Sequence, residues 1–320
     1  MTARVVALVA LGTSLVVTPL AMVVARRTGV MDRPGDLKSQ TVPVPYLGGV
    51  GVFAGTTVGA LGGRPSVLVP LAAALALGVA DDRFDLSPLV RLVGELAIGA
   101  AVVVTCPVAL SGALGAVLVV GVTVLLVNGV NLLDGLDMLA GGVVAVAAVG
   151  FAVLLHGPGR LLAVALTAAL VGFLVFNRPP ARVYLGDGGS YLLGTALAVL
   201  VAEAWGPHLA VSLGVATLLL VAVPAGEVAF AVVRRLRGRR SLVAGDRGHP
   251  YDRLVARGWP RMSATAAYLG LEGLLAVAAV GAGRRSSLAV ALAVDVTGAA
   301  VLVALAAAVG ALSPDQEAPA

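Results

Sequence analysis

The chain has 320 residues, of which 59% are hydrophobic and 12% are charged, whereas a soluble globular domain is typically about 45–50% apolar and about 25% charged. This composition excludes a soluble enzyme and a disordered chain, and it predicts an integral membrane protein. The net charge of +5 does not indicate a nucleic acid partner, because the basic residues are confined to a few loops between apolar runs. The single cysteine, Cys106, excludes an internal disulfide and a cysteine-based metal cluster.

The apolar runs are long and continuous, which favours membrane-spanning α-helices over β-strands. We therefore predict an all-α, polytopic membrane protein in which residues 1–320 form a single domain with about eleven transmembrane helices. The first run is interpreted as a span rather than a signal peptide, because two arginines follow it instead of a small-residue cleavage site. The predicted spans are 4–25, 46–63, 66–80, 88–107, 110–128, 138–156, 159–176, 189–206, 208–234, 263–281 and 286–311.

The loops between these spans differ sharply in charge from one side of the membrane to the other. All but five of the 22 Lys and Arg residues lie in or beside the loops of one side. The positive-inside rule assigns that side to the cytoplasm and the N-terminus to the outside. The same loops contain acidic residues, whereas the loops of the other side contain none. The sequence thus predicts a polar site at the cytoplasmic membrane surface.

The first motif of interest follows the third apolar run, where Asp81 and Asp82 are adjacent. Neighbouring carboxylates repel each other, so a cation, a proton or a basic partner has to compensate them. Such a pair suits Mg²⁺ binding or the removal of a proton from an acidic substrate. Considered alone, the motif is equally consistent with a solvated turn that caps the next helix.

A second motif, 128–137, places two Asn and two Asp between apolar helices. Its carboxamides and carboxylates can supply oxygen atoms to a hard cation and can recognise the polar edges of a base or a sugar. The spacing is not that of a calcium-binding EF-hand loop. A plain interhelical turn does not require so many acids, so a binding role is favoured.

Two further motifs follow towards the C-terminus. In 176–190, two prolines end a helix and a glycine-rich turn leads into the next helix, which begins near Asp187. Backbone N–H groups at the start of a helix favour phosphate binding. Asp187 could hold the Mg²⁺ that accompanies such a phosphate. The longest loop, 234–261, carries nine arginines, which either bind phosphates or set the topology. His249 lies among them and is expected to contact a ligand. Of the intramembrane acids, Glu227 is the one most expected to matter.

Together these loops resemble the polyprenyl-phosphate N-acetylhexosamine-1-phosphate transferase superfamily (glycosyltransferase family 4), most of all its undecaprenyl-phosphate GlcNAc-1-phosphate transferases. Five segments in the family's order carry the resemblance: DRPGDLK…PYLGG, DDRFD, NGVNLLDGLD, FNRPPARVYLGDGGS and DRGHPYDRL. It implies that a UDP-N-acetylhexosamine, best interpreted as UDP-GlcNAc, donates its sugar-1-phosphate to a polyprenyl phosphate and releases UMP. It also implies a first membrane step of cell-envelope glycan synthesis, the bacterial plasma membrane, and Mg²⁺ as cofactor, with Mn²⁺ as a substitute.

The resemblance further implies roles for individual residues. Asp187 and Asn131 are expected to hold the metal, and Asp81 would act on the polyprenyl phosphate as a base or a positioning group. Tyr184 stands where the family often has an aromatic residue stacked on uracil. The candidate catalytic residues are Asp81, Asp82, Asp134 and His249. The candidate nucleotide-sugar-binding residues are Asn128, Gly135, Leu136, Asp137, Asn177, Tyr184, Lys38 and Arg247.

The sequence departs from the family pattern at Met138, where a Gly is usual, at Glu227, where an Asp is frequent, and in a histidine-rich signature reduced to His249. Two alternatives therefore stay open: a family member without turnover, and an ion-coupled secondary transporter. A transporter would hold its ion near the membrane midplane, whereas here the acids lie in loops on one face. The expected partners are the UDP-sugar, the polyprenyl phosphate and the membrane, without nucleic acid; a homodimer is one option.

Overall fold

The computed structural model describes residues 1–32, 42–106, 108, 112–206, 210–241, 248–285 and 287–313. Within these ranges the chain forms thirteen α-helices and one antiparallel two-stranded ribbon, β1 (Met31–Asp32) with β2 (Val44–Pro45). The helices are α1 (Ala3–Thr28), α2 (Gly48–Gly63), α3 (Leu68–Phe84), α4 (Pro88–Thr105), α5 (Ala113–Leu133), α6 (Leu139–Leu154), α7 (Gly157–Asn177), α8 (Gly186–Ala204), α9 (Val211–Ala216), α10 (Ala222–Arg237), α11 (Pro250–Ala256), α12 (Arg261–Arg284) and α13 (Leu288–Ala308).

The all-α prediction is confirmed, because each predicted apolar run coincides with helix in the described chain. The ninth run is divided, since Thr217–Val221 forms a 3₁₀ turn between α9 and α10. Among the described residues, seven helical segments are long and apolar enough to cross a membrane, so the chain is a multi-pass membrane protein. These segments are α1, α4, α5, α7, the stretch from α9 through α10, α12 and α13.

Helix α8 lies at the centre of the fold. Every residue of α8 except Asp187 and Glu203 is buried, and the helix packs against α2, α3 and α5. Helix α3 comes close to α8 at Gly78, where an added Cβ would overlap with the backbone of Asp187. This close approach brings the end of α3, with Asp81 and Asp82, next to the first turn of α8.

Three of the predicted site residues, Asp82, Asn131 and Asp187, lie on the ends of helices rather than in loops. Helices α3 and α5 continue beyond their apolar runs, so Asp82 and Asn131 are helical. Helix α8 begins at Gly186, whose φ of 69° is a left-handed conformation that glycine adopts readily, and Asp187 lies in its first turn. These side chains are therefore held by packed helices, which fixes their positions better than a surface loop would.

Arginines from α10 and α11 hold the chain that follows the C-terminal end of α13. Arg234, which is only 2% exposed, Arg237 and Arg253 donate hydrogen bonds of 3.0, 3.0 and 3.3 Å to carbonyl groups within residues 311–313. Cationic side chains are favourable there, because the C-terminal end of a helix carries partial negative charge. These three arginines thus bind protein carbonyl groups, which differs from the phosphate binding considered for the loop as a whole.

Candidate active site

A cavity of about 700 Å³ lies where the ends of α5, α7, α11 and α12 meet. Its size is within the range of about 300–1,000 Å³ that is usual for small-molecule sites. All of its lining residues come from segments in or flanking the loops that the charge distribution assigned to the cytoplasm. The candidate residues that line it are Asn131, Asp134, Gly135, Leu136, Asp137, Asn177, Tyr184 and His249.

Beside this cavity, the side chain of Asp82 caps the N-terminus of α8. Its carboxylate oxygens accept hydrogen bonds from the backbone N–H groups of Asp187, at 3.0 Å, and Gly188, at 3.2 Å. A carboxylate is favourable at this position because the start of a helix carries partial positive charge. Asp82 thus takes the position that the sequence had suggested for a phosphate group.

Asp81 is a buried, fully engaged carboxylate. It accepts hydrogen bonds from the hydroxyl of Tyr191 at 2.7 Å, from the backbone N–H of Leu86 at 2.9 Å and from the guanidinium of Arg91 at 3.3 Å. The contacts fix the end of α3 against α8 and α4. Asp81 does not line the cavity, so this arrangement favours its positioning role over its role as a base.

Asn131 and Asp187, the two predicted metal ligands, are brought together across α5 and α8. The side-chain amide of Asn131 donates to Asp187 Oδ1 at 2.6 Å and to Ser190 Oγ at 3.1 Å. Asn131 also faces the cavity, whereas Asp187 lies behind it. The pair therefore connects the cavity with the carboxylates at the junction of α3 and α8.

The acids at this junction repel each other. Burial, followed by the charge of Asp187, raises the pKa of Asp82 to about 7; Asp82 lies beyond the apolar stretch 66–80. Burial also raises the pKa of Asp134 well above its usual range, and the charges of Asp187 and Asp82 raise it further. A cation would relieve this repulsion, because it favours the ionised form of each carboxyl group.

The donor set fits a divalent cation that is also bound by substrate. Among the described residues, no group of three or more His, Cys, Asp or Glu side chains forms a ready-made metal cage. Mg²⁺ does not require one, since it is usually bound by one or two carboxylates, by waters and by substrate phosphates. Asp187, with the amide of Asn131 beside it, meets that requirement.

Asp134 is the candidate catalytic residue with the most direct access to the cavity. It is half-buried and lines the cavity, and its carboxylate accepts no hydrogen bond from the described residues. It follows the last turn of α5, three residues after Asn131. Because a partly buried carboxylate is stable only when it is paired or protonated, Asp134 is suited to contact a substrate or its proton.

The loop after α5 is held in shape by Asn177. The side-chain oxygen of Asn177 accepts a hydrogen bond from the N–H of Met138 at 2.8 Å, and its amide donates to the carbonyl of Val183 at 2.8 Å. Asp137 accepts from the N–H of Ala181 at 3.1 Å. These contacts tie the second motif to the third, so Asn177 shapes the cavity wall as well as lining it.

Aromatic residues form another part of the cavity wall. Tyr184 and Tyr46 lie side by side, with ring centroids 6.3 Å apart, and burial raises the pKa of Tyr184 to about 12. The hydroxyl therefore stays protonated at neutral pH, and the apolar ring is available to stack on a planar base. Tyr46 belongs to the segment PYLGG but was not predicted as a site residue; the structure places it in the cavity wall beside Tyr184.

His249 is held by a buried carboxylate. Its Nδ1 lies 2.9 Å from Glu227 Oε2, and the hydroxyl of Tyr268 donates to Glu227 Oε1 at 2.6 Å. The His249 ring stacks on Tyr251, with centroids 5.4 Å apart and planes 7° apart. Glu227 was the intramembrane acid expected to matter, and its position next to His249 connects it to the cavity.

Comparison with known proteins gives the family. Residues 65–204 match glycosyl transferase family 4. A decaprenyl-phosphate N-acetylglucosaminephosphotransferase of Mycobacterium tuberculosis is 32% identical over 288 residues, which cover 73% of this chain and 71% of the relative. The chain belongs to glycosyl transferase family 4.

Two more relatives of this family 4 protein carry similar names. An undecaprenyl-phosphate alpha-N-acetylglucosaminyl 1-phosphate transferase of Thermotoga maritima is 34% identical over 246 residues, covering 74% of the chain and 77% of the relative. A probable undecaprenyl-phosphate N-acetylglucosaminyl 1-phosphate transferase of Bacillus subtilis is 29% identical over 292 residues, covering 82% and 80%. The resemblance inferred from the five motifs is confirmed.

Some predicted residues of this family 4 protein lie away from the cavity. Asn128 is exposed and donates a hydrogen bond to Glu95 on α4 at 2.7 Å; it does not line the cavity. Lys38 and Arg247 fall outside the described residues. Arg261, at the first turn of α12, lines the cavity; it is one of the nine arginines of the loop 234–261 but was not among the predicted site residues, because it lies outside the segment DRGHPYDRL.

Met138 shows what its departure from the family pattern means. Its φ is 65°, a left-handed conformation that costs an L-residue other than glycine roughly 1–2 kcal/mol. Met138 precedes α6, and its backbone N–H donates the hydrogen bond to Asn177 described above. The backbone turn that a glycine would form is thus retained in this family 4 protein, at the expense of local strain.

Proposed function

We propose that this protein transfers GlcNAc-1-phosphate from UDP-GlcNAc to a polyprenyl phosphate and releases UMP, at the cytoplasmic face of the bacterial plasma membrane. The observation that supports this most directly is the cavity beside the carboxylate junction, at the ends of apolar helices. A water-soluble nucleotide sugar and a membrane-embedded lipid phosphate can meet only at such a boundary. The names of the relatives give the same reaction class.

The reaction requires positioning and charge neutralisation more than covalent help from the protein. An oxygen of the lipid phosphate forms a bond to the sugar-linked phosphorus of UDP-GlcNAc. The bond from that phosphorus to the bridging oxygen of the diphosphate breaks, and the oxygen leaves with UMP. Lipid diphosphate-linked GlcNAc and UMP account for all atoms of the two substrates.

The residues divide these tasks. Asp134 is the group that takes the proton of a monoprotonated lipid phosphate, because it lines the cavity and burial raises its pKa. Asp137 and Tyr184 form the wall for the uridine, where an acid and an aromatic ring can contact the polar edge and the face of a base. Mg²⁺, with Mn²⁺ as a substitute, would be held by Asp187 and Asn131 and would neutralise the diphosphate of the donor.

We extend the proposal to the topology. Helices α2, α3, α6 and α8 cross the membrane within the bundle in addition to the seven apolar segments, which gives eleven crossings with the N-terminus outside. The convergence of the cavity-lining segments on one side supports this orientation. Labelling of single cysteines, introduced in a Cys106→Ala background, by an impermeant reagent from each side of intact vesicles tests it.

The decisive experiment measures UMP release by the purified protein in lipid nanodiscs with UDP-GlcNAc and undecaprenyl phosphate. We expect release that requires the lipid phosphate and stops with EDTA. Asp187→Asn should lower the rate at least about 100-fold, because the metal loses its carboxylate. Release without the lipid acceptor, or undiminished release in EDTA, would contradict the proposal.

A further inference from the structure

His249 contacts a carboxylate that none of the steps above uses. Glu227 is only 1% exposed and comes from the middle of α10 rather than from a loop. We propose that Glu227 is a positioning residue, which fixes the tautomer and the ring orientation of His249 for contact with the substrate. The contact with His249 is independent of the reaction, whereas its effect on turnover rests on the proposed transferase function.

The partner of Nδ1 indicates which nitrogen of the ring carries a proton. An ionised carboxylate only accepts hydrogen bonds, so Nδ1 of His249, at 2.9 Å from Glu227 Oε2, is the donor. In the neutral ring the lone pair is then on Nε2. A hydrogen bond from one ring nitrogen to a carboxylate is the general means by which proteins select the state of the other nitrogen.

Both oxygens of Glu227 are engaged, which orients the carboxylate itself. Tyr268 on α12 donates to Oε1 at 2.6 Å, while His249 occupies Oε2. A buried carboxylate is costly unless charged or polar partners compensate it, and here a phenol and an imidazole do so from two different elements. Glu227 can therefore rotate little without losing one of its two partners.

The ring of His249 is confined from a second direction. Tyr251, on which the ring stacks, donates through its hydroxyl to the carbonyl of Leu132 at 2.8 Å. Leu132 lies in the last turn of α5, two residues before Asp134. Through Tyr251, the imidazole ring is therefore held against the same helix end that presents Asp134 to the cavity.

The path of α10 explains how a membrane-helix residue reaches the site. The 3₁₀ turn Thr217–Val221 ends immediately before α10, and the carbonyl of Pro224 lies directly against Gly129 of α5, where any Cβ would overlap with it. Glu227 follows one turn later on the same helix. The close crossing of α10 and α5 therefore places its carboxylate next to the cavity wall.

The competing explanation is that Glu227 only holds α10 against α12. The protonation state of the His249 ring distinguishes this purely structural role from the proposed positioning role. The chain has three histidines, so replacing His156 and His208 with Gln leaves one ring to observe. With histidine labelled by ¹⁵N in the ring, NMR of the full-length protein in nanodiscs reports the protonation of each nitrogen. We expect Nδ1 to carry a proton, in the neutral ring or in the imidazolium.

The variants extend this test. In Glu227→Gln the neutral ring should become a mixture of tautomers, and Glu227→Asp should restore the protonated Nδ1. Glu203→Gln is the matched control, because Glu203 is also a paired acid, bonded to Arg64 at 2.6 Å at the opposite end of α8. Tyr268→Phe keeps the contact between Glu227 and His249 and removes only the second partner of the Glu227 carboxylate. It takes the place of Glu227→Gln in this test if that variant does not fold.

Turnover gives the second readout. We expect kcat to fall about 10- to 100-fold in Glu227→Gln, by analogy with residues that orient a metal-ligating histidine, with KM for UDP-GlcNAc changed less than threefold. A neutral wild-type ring protonated only at Nε2 would overturn the proposal, as would an unchanged ring state and kcat in Glu227→Gln. If the wild type releases no UMP, the transferase function fails, while the NMR result still decides the contact.

Discussion

Replacing Asp82 with Asn should reduce the loss of stability that the metal-free protein undergoes as the pH rises. Burial and the charge of Asp187 raise the pKa of Asp82 to about 7 in the folded protein, against about 3.9 for Asp in an unfolded chain. Between about pH 4 and pH 7 the folded protein therefore binds a proton that the unfolded chain has lost. Stability falls as the pH rises through this window, because the unfolded state binds fewer protons there.

The size of the effect follows from the difference between the two pKa values. About 3 units at 1.36 kcal/mol per unit correspond to about 4 kcal/mol, and the partial exposure of the side chain reduces this to about 2–3 kcal/mol. Asn keeps an oxygen atom that can accept from the N–H groups at the start of α8, but it carries no charge. Mg²⁺ that binds only the folded state adds stability. It should stabilise the wild type at pH 8 more than the variant, because only the wild type carries the negative charge of Asp82 that the cation would compensate.

Thermal unfolding in nanodiscs with EDTA, followed through the fluorescence of Trp205 and Trp259, measures this between pH 5 and pH 8. The matched control is Asp85→Asn, which changes an exposed acid three residues away. We expect the unfolding midpoint to fall as the pH rises in the wild type and in the control, and to fall less steeply in Asp82→Asn, in which burial still raises the pKa of Asp134. An equally steep fall in Asp82→Asn, or equal protection of both proteins by Mg²⁺, would refute the reasoning.

Three further predictions concern packing and binding. Gly78→Ala should lower stability by about 1–3 kcal/mol and impair turnover, because the added Cβ overlaps with the backbone of Asp187; Gly121→Ala, which meets nothing within 4 Å, should do neither in the same unfolding and UMP-release assays. Met138→Gly should raise the unfolding midpoint, since relief of about 1–2 kcal/mol of backbone strain exceeds the roughly 0.5–1 kcal/mol entropic cost of glycine; an unchanged or lower midpoint would contradict this. Tyr184→Ala should raise KM for UDP-GlcNAc about tenfold while Tyr184→Phe leaves it nearly unchanged, because stacking of a base on an aromatic ring contributes about 1–3 kcal/mol; similar KM values for the two variants would exclude stacking.

Much of this architecture could be predicted from the sequence, because a membrane leaves few choices. Each long apolar run became a helix, since only helices and closed barrels satisfy the backbone within lipid. The association of Asn131 with Asp187 could be anticipated from the family resemblance. The ends of the helices could not be predicted from the sequence. Asp82 and Asn131 were expected in loops, because the apolar pattern stops one or two turns before the helix does.

The roles within the acidic cluster depend on packing that no local pattern encodes. Asp81 and Asp134 have similar settings in the sequence, yet Asp81 is bonded to Tyr191 and Arg91 whereas Asp134 faces the cavity. Arg261 reaches the cavity from the first turn of α12, beyond the segment DRGHPYDRL. Such assignments need the three-dimensional arrangement, because the partners are distant along the chain.

The arginines that bind the end of α13 have a consequence for how the protein is made. Arg253 belongs to α11, which also forms part of the cavity wall through Tyr251, and its hydrogen bond ends on a carbonyl group synthesised sixty residues later. During translation, the pocket therefore acquires this support only after α13 has been synthesised. A ribosome-bound chain that still lacks α13 therefore has a pocket without this hydrogen bond, so the pocket is complete only when the last helix has been made.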